Sequence, residues 1–278
     1  MSPMLEIETG NFAISRWTLC PAGSLRIVNW NINRGLQLQK VIQFLAGVKP
    51  DIVLLQECDL NARRTHHLNV AREIAQQLRL NYVFGREFQE LTQGSRASPA
   101  YHGQSTLSRW PLSNSRILRF QMQSNFWHPH WFIPEIDPFQ ERIGGRLALI
   151  SDVDIAGKKI ITYNLHLESR GDDGLRESQI EETLMDVRQY STNTPVLIAG
   201  DFNMNVSEGI VAAAIRRSQL RDAFVTQHPA TTPSSFFEDG RVIDWIFSRG
   251  TVRLSQAQVH RSISASDHYP LSAVLVFD

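Results

Sequence analysis

The stretch VLIAGDFNMN (residues 196–205) decides how this chain is read. Four apolar residues run directly into Gly200, Asp201, Phe202 and Asn203, so a strand that reads as core ends in an acid and an amide. A carboxylate there is costly to desolvate unless a partner, a cation or water meets it. Asp201 and Asn203 lie two residues apart, so on an extended segment both side chains point into one pocket. The rest of the chain shows what else is delivered to that strand end.

Other apolar runs read as strands: LRIVNW (25–30), DIVLLQ (51–56), STLS (105–108), RLALISDVDI (146–155), KIITYNLHL (159–167), VIDWIF (242–247) and LSAVLVF (271–277). Helical spacing links Leu38, Val41, Ile42 and Leu45, and again Ala71, Ile74, Ala75 and Leu78. A third helix is expected over about 175–190, with Ile180, Leu184 and Val187 on one face, and a fourth over SEGIVAAAIRRS with Ser207 as its N-cap. Many strands with few helices, and no strict βαβ alternation, predict an α/β architecture of two packed mixed sheets with helices outside. No repeat, low-complexity tract or composition break marks a linker, so the chain reads as one domain over 1–278. Loops are expected at 89–103 and at 124–145, the second rich in proline and aromatic residues.

Lys plus Arg and Asp plus Glu each number 28, so no global field draws the chain to polyanions, although a local basic cleft remains open. The two cysteines, Cys20 and Cys58, lack the spacing of a disulfide framework or zinc site, and Cys58 reads as a strand-end thiol. No secretory signal and no apolar run of ~20 residues is present, so the expectation is a soluble, cytoplasmic protein without a membrane span.

Several other apolar segments carry polar residues at their margins: Asn31, Glu57, His166, Asp244, Asp267 and His268. Singly, each has an ordinary explanation as a solvated strand end or a turn. Together they supply hard oxygen ligands for Mg2+ or Mn2+ beside imidazoles that can move protons. HExxH, GxSxG, Walker and GxGxxG motifs are all absent, which removes the protease, acyl-transfer and nucleotide-loop readings. Oxygen-ligated Mg2+ next to imidazoles points to phosphate ester chemistry.

In order, NWNIN, LLQE, GQSTLSRWP, NLHL, GDFNMN, VIDWIF and SDHYP resemble the endonuclease/exonuclease/phosphatase superfamily, the deoxyribonuclease I-like metal-dependent phosphoesterases, over residues 25–277. The resemblance implies a four-layer α/β sandwich, two mixed sheets flanked by helices. It implies that Glu57 is the principal Mg2+ ligand, with Asn31 and Asp267 assisting directly or through water and Mn2+ able to substitute. Asp244 would fix the tautomer of His268, Asp201 would orient or deprotonate the attacking water, and Asn203 would donate to a phosphoryl oxygen. His166 matches the histidine that the deoxyribonuclease and sphingomyelinase branches place near the scissile phosphate. Some relatives pair that histidine with an acid ahead of the STLSRWP segment, but AYHGQ contains none, and Glu168 is the candidate substitute. Arg146 stands where relatives often place a phosphate-contacting arginine.

The resulting expectation is a Mg2+-dependent phosphodiesterase with in-line attack of water activated by Asp201 and the Asp244–His268 pair. Nucleic acid is the favoured substrate, the rings of Phe126, Trp127, Trp131, Phe132 and Phe139 offering stacking surfaces. A sphingomyelinase-like or inositol phosphatase-like phosphoesterase is the alternative. A catalytically dead binding module is the third reading, and no obligate protein partner is expected. Dead members normally lose ligands or imidazoles, whereas every one is present here.

Overall fold

The structure is a computed structural model describing residues 6–13, 23–128, 130, 132–134, 139–225, 228–234 and 239–278. Its strands are β1 (Ile7–Gly10), β2 (Ser24–Arg34), β3 (Ile52–Leu60), β4 (Asn81–Glu90), β5 (Ala100–Ser108), β6 (Leu112–Arg119) and β7 (Arg142–Gly144). They continue with β8 (Leu147–Ile155), β9 (Lys158–His166), β10 (Val196–Asp201), β11 (Arg221–Asp222), β12 (Asp244–Arg249), β13 (Val252–Val259) and β14 (Leu271–Phe277). The helices are α1 (Leu38–Val48), α2 (Val70–Leu78), α3 (Asp173–Val187) and α4 (Gly209–Arg217).

One sheet runs β1-β4-β5-β3-β2-β14-β13 with β7 also on β4, and the other runs β11-β12-β10-β9-β8-β6. Parallel pairing of β2 with β3 and of β9 with β10 amid antiparallel neighbours makes both sheets mixed. Helices α1 and α2 cover the outer face of the first sheet, and α3 and α4 that of the second. The predicted four-layer sandwich is therefore the observed one.

Side-chain alternation explains where a site can form. On β2, Val28, Trp30 and Ile32 face outward to α1 and α2, while Leu25 and Ile27 face the opposite sheet. On β9 and β10, Ile161, Tyr163, Leu165 and Ile198 face outward, while Ile160, Leu197 and Ala199 face in. Continuing the inward rows along each strand gives a gradient. The gap between sheets begins apolar, becomes amide at Asn29, Gln56 and Asn164, and ends charged at His166, Asp201 and Asp244. Gln56 Nε2 donates to Asn29 Oδ1 at 2.9 Å and to Asn164 Oδ1 at 2.7 Å, and Asn29 donates to the Gly200 carbonyl at 3.3 Å. Asn164 donates to the carbonyls of Leu55 and Ser105 at 3.1 and 3.0 Å. This network ties the two sheets together directly beneath the charged rim.

Gly200 is required by contact, because a Cβ there would run into the Leu165 carbonyl of the neighbouring strand.

Three local expectations are corrected. The 89–103 segment is not one loop: β4 extends to Glu90 and β5 begins at Ala100. Most of β4 escapes sequence reading because Arg86, Glu87 and Glu90 make it look like surface, although Glu87 and Glu90 are buried against arginines. Helix α4 is capped by Glu208 without a side-chain bond, and the Ser207 hydroxyl instead donates to Asn205 Oδ1 at 2.8 Å. Cys58 lies within β3 and is fully buried, and burial pushes its thiol well up, so it is inert. Cys20 and Trp131 lie outside the described residues.

Candidate active site

Asp201 Oδ2 is the hub of the rim. Asn31 Nδ2 donates to it at 3.1 Å and also lies 3.3 Å from Glu57 Oε1. The Nε2 atoms of His166 and His268 each approach the same Asp201 oxygen at 3.7 Å. The ladders enforce this grouping, since Asp201 is in register with His166 on β9 and with Asp244 on β12. Three residues distant in sequence thus meet because they share one rung across adjacent strands.

Glu57 owes its position to a bulge. Pairing of β3 slips between Leu55 and Cys58 against β5, and that of β2 slips between Asn31 and Arg34, leaving Glu57 in the left-handed region at φ 54°. A non-glycine residue held there stores backbone strain, and such strain concentrates at functional sites. Its carboxylate keeps 21% exposure, enough to meet solvent or a ligand. Burial opposes its charge, but the imidazoles of His102 and His166, with Arg34 and His268, hold the carboxyl far below the usual range.

His268 Nδ1 lies 2.9 and 3.1 Å from the two oxygens of Asp244, as expected of an orienting acid. Burial works against charge on the imidazole, yet the facing carboxylates of Asp244 and Asp201 push it up to about 10. At neutral pH His268 is therefore an imidazolium with Nε2–H turned towards Asp201. The Thr231 hydroxyl accepts from the Asp244 backbone N–H at 3.2 Å.

The acid behind His166 is Glu87 of β4, not Glu168. His166 Nδ1 lies 3.1 Å from Glu87 Oε2, and Glu87 Oε1 accepts from Arg146 at 2.8 Å. Burial opposes the charge of Glu87, while His166 and Arg146 bring its carboxyl down to about 2. Glu168 accepts from Trp127 Nε1 at 3.0 Å and braces the aromatic loop instead. Sequence reading looked for the acid immediately before STLSRWP, whereas it sits one strand earlier.

Arg146 is buried behind His166, stacked near the rings of Phe88 and Trp127 and bonded to Glu87 and Ser169. In this arrangement it supports the imidazole and does not reach into the open mouth.

Asn203 is not the next inward residue of an extended strand. The chain leaves β10 after Asp201, Asn203 adopts φ 53°, and its backbone N–H closes a turn on Asp201 Oδ1 at 2.9 Å. Its side-chain amide donates to the Leu167 carbonyl at 3.0 Å, so it borders the pocket by way of a turn. Asp267 is exposed on the loop before β14. The Ser266 hydroxyl lies 3.1 Å from Asp267 Oδ1 and donates to the Asn31 carbonyl at 2.7 Å, tying that loop to β2.

The donor set fits a small divalent cation. A partly exposed carboxylate held ionised at Glu57 and the nearby Asp201 offer oxygen ligands with room for retained water, while Asn31 turns Nδ2 to both and its Oδ1 accepts from the Asn33 N–H at 3.1 Å.

Two sheets opening onto a rim of carboxylates, amides and carboxylate-anchored imidazoles define a metal-dependent phosphoesterase. The chain matches the Endonuclease/Exonuclease/phosphatase family over residues 28–268 and belongs to it. It is thereby a hydrolase of phosphoester bonds in a family that depends on divalent metal. Solved structures with the same fold include an endonuclease/exonuclease/phosphatase from Beutenbergia cavernae, 18% identical with TM-score 0.68, covering 91% of this chain and 72% of that one. The human Nocturnin catalytic domain with bound sulfate is 16% identical with TM-score 0.66, covering 98% and 97%. Truncated Caenorhabditis elegans TDP2 is 19% identical with TM-score 0.60, covering 91% and 98%. No curated protein sequence matches the chain. Among the described residues, no helix is long and apolar enough to cross a membrane.

Proposed function

We propose that this chain is a Mg2+-dependent phosphodiesterase that hydrolyses nucleic acid. The observation that carries the reading is the meeting of Asn31 and two imidazoles on Asp201 Oδ2, with Glu57 alongside. Mg2+, held by Glu57 with Asn31 and, through water, Asp267, would supply positive charge for the phosphoryl oxygens. Asp201, flanked by donors, orients the attacking water and takes its proton. His268, kept protonated by Asp244, presents Nε2–H to a phosphoryl oxygen, and Asn203 offers its amide from the turn beside it. His166, held from behind by Glu87 and Arg146, faces the leaving oxygen with Nε2.

Nucleic acid is favoured by the aromatic loop. Trp127 is buried and braced on Glu168, while Phe126, Phe132 and Phe139 are exposed, and the Arg170 guanidinium lies over the Phe126 ring at 4.8 Å. Phe126 packs on Trp127, which Arg146 of the His166 support overlies, so its ring and the Arg170 guanidinium are surfaces on which bases near the rim can stack. The test is a Mg2+ hydrolysis panel of nicked, abasic and single-stranded DNA, RNA, sphingomyelin, inositol phosphates and bis-p-nitrophenyl phosphate. Turnover concentrated on nucleic acid is expected; turnover confined to sphingomyelin or inositol phosphates would replace the substrate assignment.

A further inference from the structure

Three imidazoles, His102, His166 and His268, act on the Glu57 carboxyl, and each has one ring nitrogen tied to a buried carboxylate. His268 Nδ1 faces Asp244 at 2.9 Å, His166 Nδ1 faces Glu87 at 3.1 Å, and His102 Nδ1 faces Asp59 at 3.2 Å. The third pair has no part in the mechanism above. Asp59 and His102 are fully buried opposite one another across β3 and β5, and Arg64 clamps both Asp59 oxygens at 2.7 Å. With Nδ1 turned to Asp59, Nε2 is the ring nitrogen of His102 left for another partner. That atom is sealed from solvent and has no hydrogen-bond partner among the described residues. Leaving a buried polar atom unsatisfied is costly, so an imidazole fixed this firmly in that position points to a ligand.

The surroundings say which ligand. Ligand atoms of His102, His166 and Glu87 lie within 4.8 Å of one another, and His166 Nε2 is 3.9 Å from Glu57 Oε1. Glu87 is already matched by the Arg146 guanidinium at 2.8 Å, so a cation gains little by adding to it. Arg146 Nη1 is 2.9 Å from both nitrogens of His166; in the ring plane it would collide with Cε1, so it lies against the face and leaves the Nε2 edge of the ring open. Among the described residues, the Glu57 carboxylate has only Arg34 at 4.0 Å as an ion-pair partner besides His166.

We infer that Glu57, His102 and His166 form a mixed oxygen–nitrogen seat for a borderline divalent cation such as Mn2+ or Zn2+. The inference rests on Glu57 being the metal carboxylate of the proposed phosphodiesterase. An imidazole whose other nitrogen is bound to a carboxylate is the usual support of a metal-ligating histidine, and here it occurs twice. Mg2+ keeps to oxygen and water and leaves both imidazoles unligated, whereas Mn2+ and Zn2+ accept imidazole nitrogen. With a borderline cation in place His166 no longer serves the leaving oxygen, and His268 is the remaining imidazole for proton transfer.

Pulsed EPR of the full chain with Mn2+ tests this without any substitution: 14N couplings from two directly bound imidazoles are expected. Calorimetry should show Mn2+ binding more than about tenfold tighter than Mg2+. His102→Gln should remove one coupling and weaken Mn2+ by ~10–100-fold while leaving Mg2+ affinity nearly unchanged, and Asp59→Asn should weaken Mn2+ less. Bound Mn2+ without 14N coupling, or equal weakening of both cations by His102→Gln, overturns the inference and leaves the phosphodiesterase reading standing. Failure of either cation to bind the wild-type chain overturns both.

Discussion

Asp201 is the residue on which the proposed chemistry turns, because Asn31, His166 and His268 all address one of its oxygens. Asp201→Asn keeps the volume and removes the proton acceptor, so kcat in a bis-p-nitrophenyl phosphate assay should fall by ~10²–10⁴ with the fold intact by circular dichroism. His268→Ala should cost a similar factor; wild-type turnover from either variant would refute its role. Glu87→Gln tests the correction at His166. Losing the carboxylate behind the imidazole should lower kcat by ~10–100-fold, whereas Glu168→Gln, which keeps an oxygen for the Trp127 and Arg170 N–H groups and removes only a long ion pair to Arg146 at 3.9 Å, should cost less than Glu87→Gln.

At the scale of the element, the site is a consequence of strands that alternate inward and outward and then run out of apolar residues at the same rim. Substituting Gly200 by Ala drives a methyl into the backbone of β9, which cannot swing aside, and should destabilise by at least about 3 kcal/mol in urea unfolding. Gln56→Leu leaves the Asn29 and Asn164 amide oxygens without their donor and should cost roughly 1–3 kcal/mol for each, read from the same curves. What sequence revealed follows this division. Asn31, His166, Asp201 and Asp244 were legible because each sits at the margin of a strand whose apolar run is unbroken. Glu87 was not, because β4 buries two acids against arginines that no local pattern identifies as partners. His102 was hidden for a related reason: its acid, Asp59, is 43 residues away and meets it only through strand pairing. Asn203 was expected as the next inward residue of an extended strand, and the left-handed turn after Asp201 that holds it instead cannot be read from an apolar run.

At the scale of the whole molecule, the two sheets, the amide network and the outer helices hold the rim in place, and stability and metal dependence can be measured separately. His228 lies between Phe224 and Trp245 at 4.2 Å from each ring, and burial pushes its imidazole down to about 4. A folded value below the ordinary 6.5 means that the unfolded chain takes up the proton more readily. The contribution of His228 is therefore complete above pH ~6.5 and lost as pH falls towards about 4. The melting temperature of His228→Phe should consequently fall less than wild type over that window; parallel curves would contradict the burial argument. EDTA should silence hydrolysis without unfolding the sandwich, and added Mg2+ or Mn2+ should restore it. The most direct measurement is a crystal structure of the Mn2+-soaked protein with anomalous scattering recorded at the manganese edge. The account predicts a peak within coordination distance of a Glu57 oxygen, at the rim shared by Asn31, Asp201 and His166. A peak elsewhere with none at Glu57, or a Glu57 carboxylate turned away from Asp201, would contradict it.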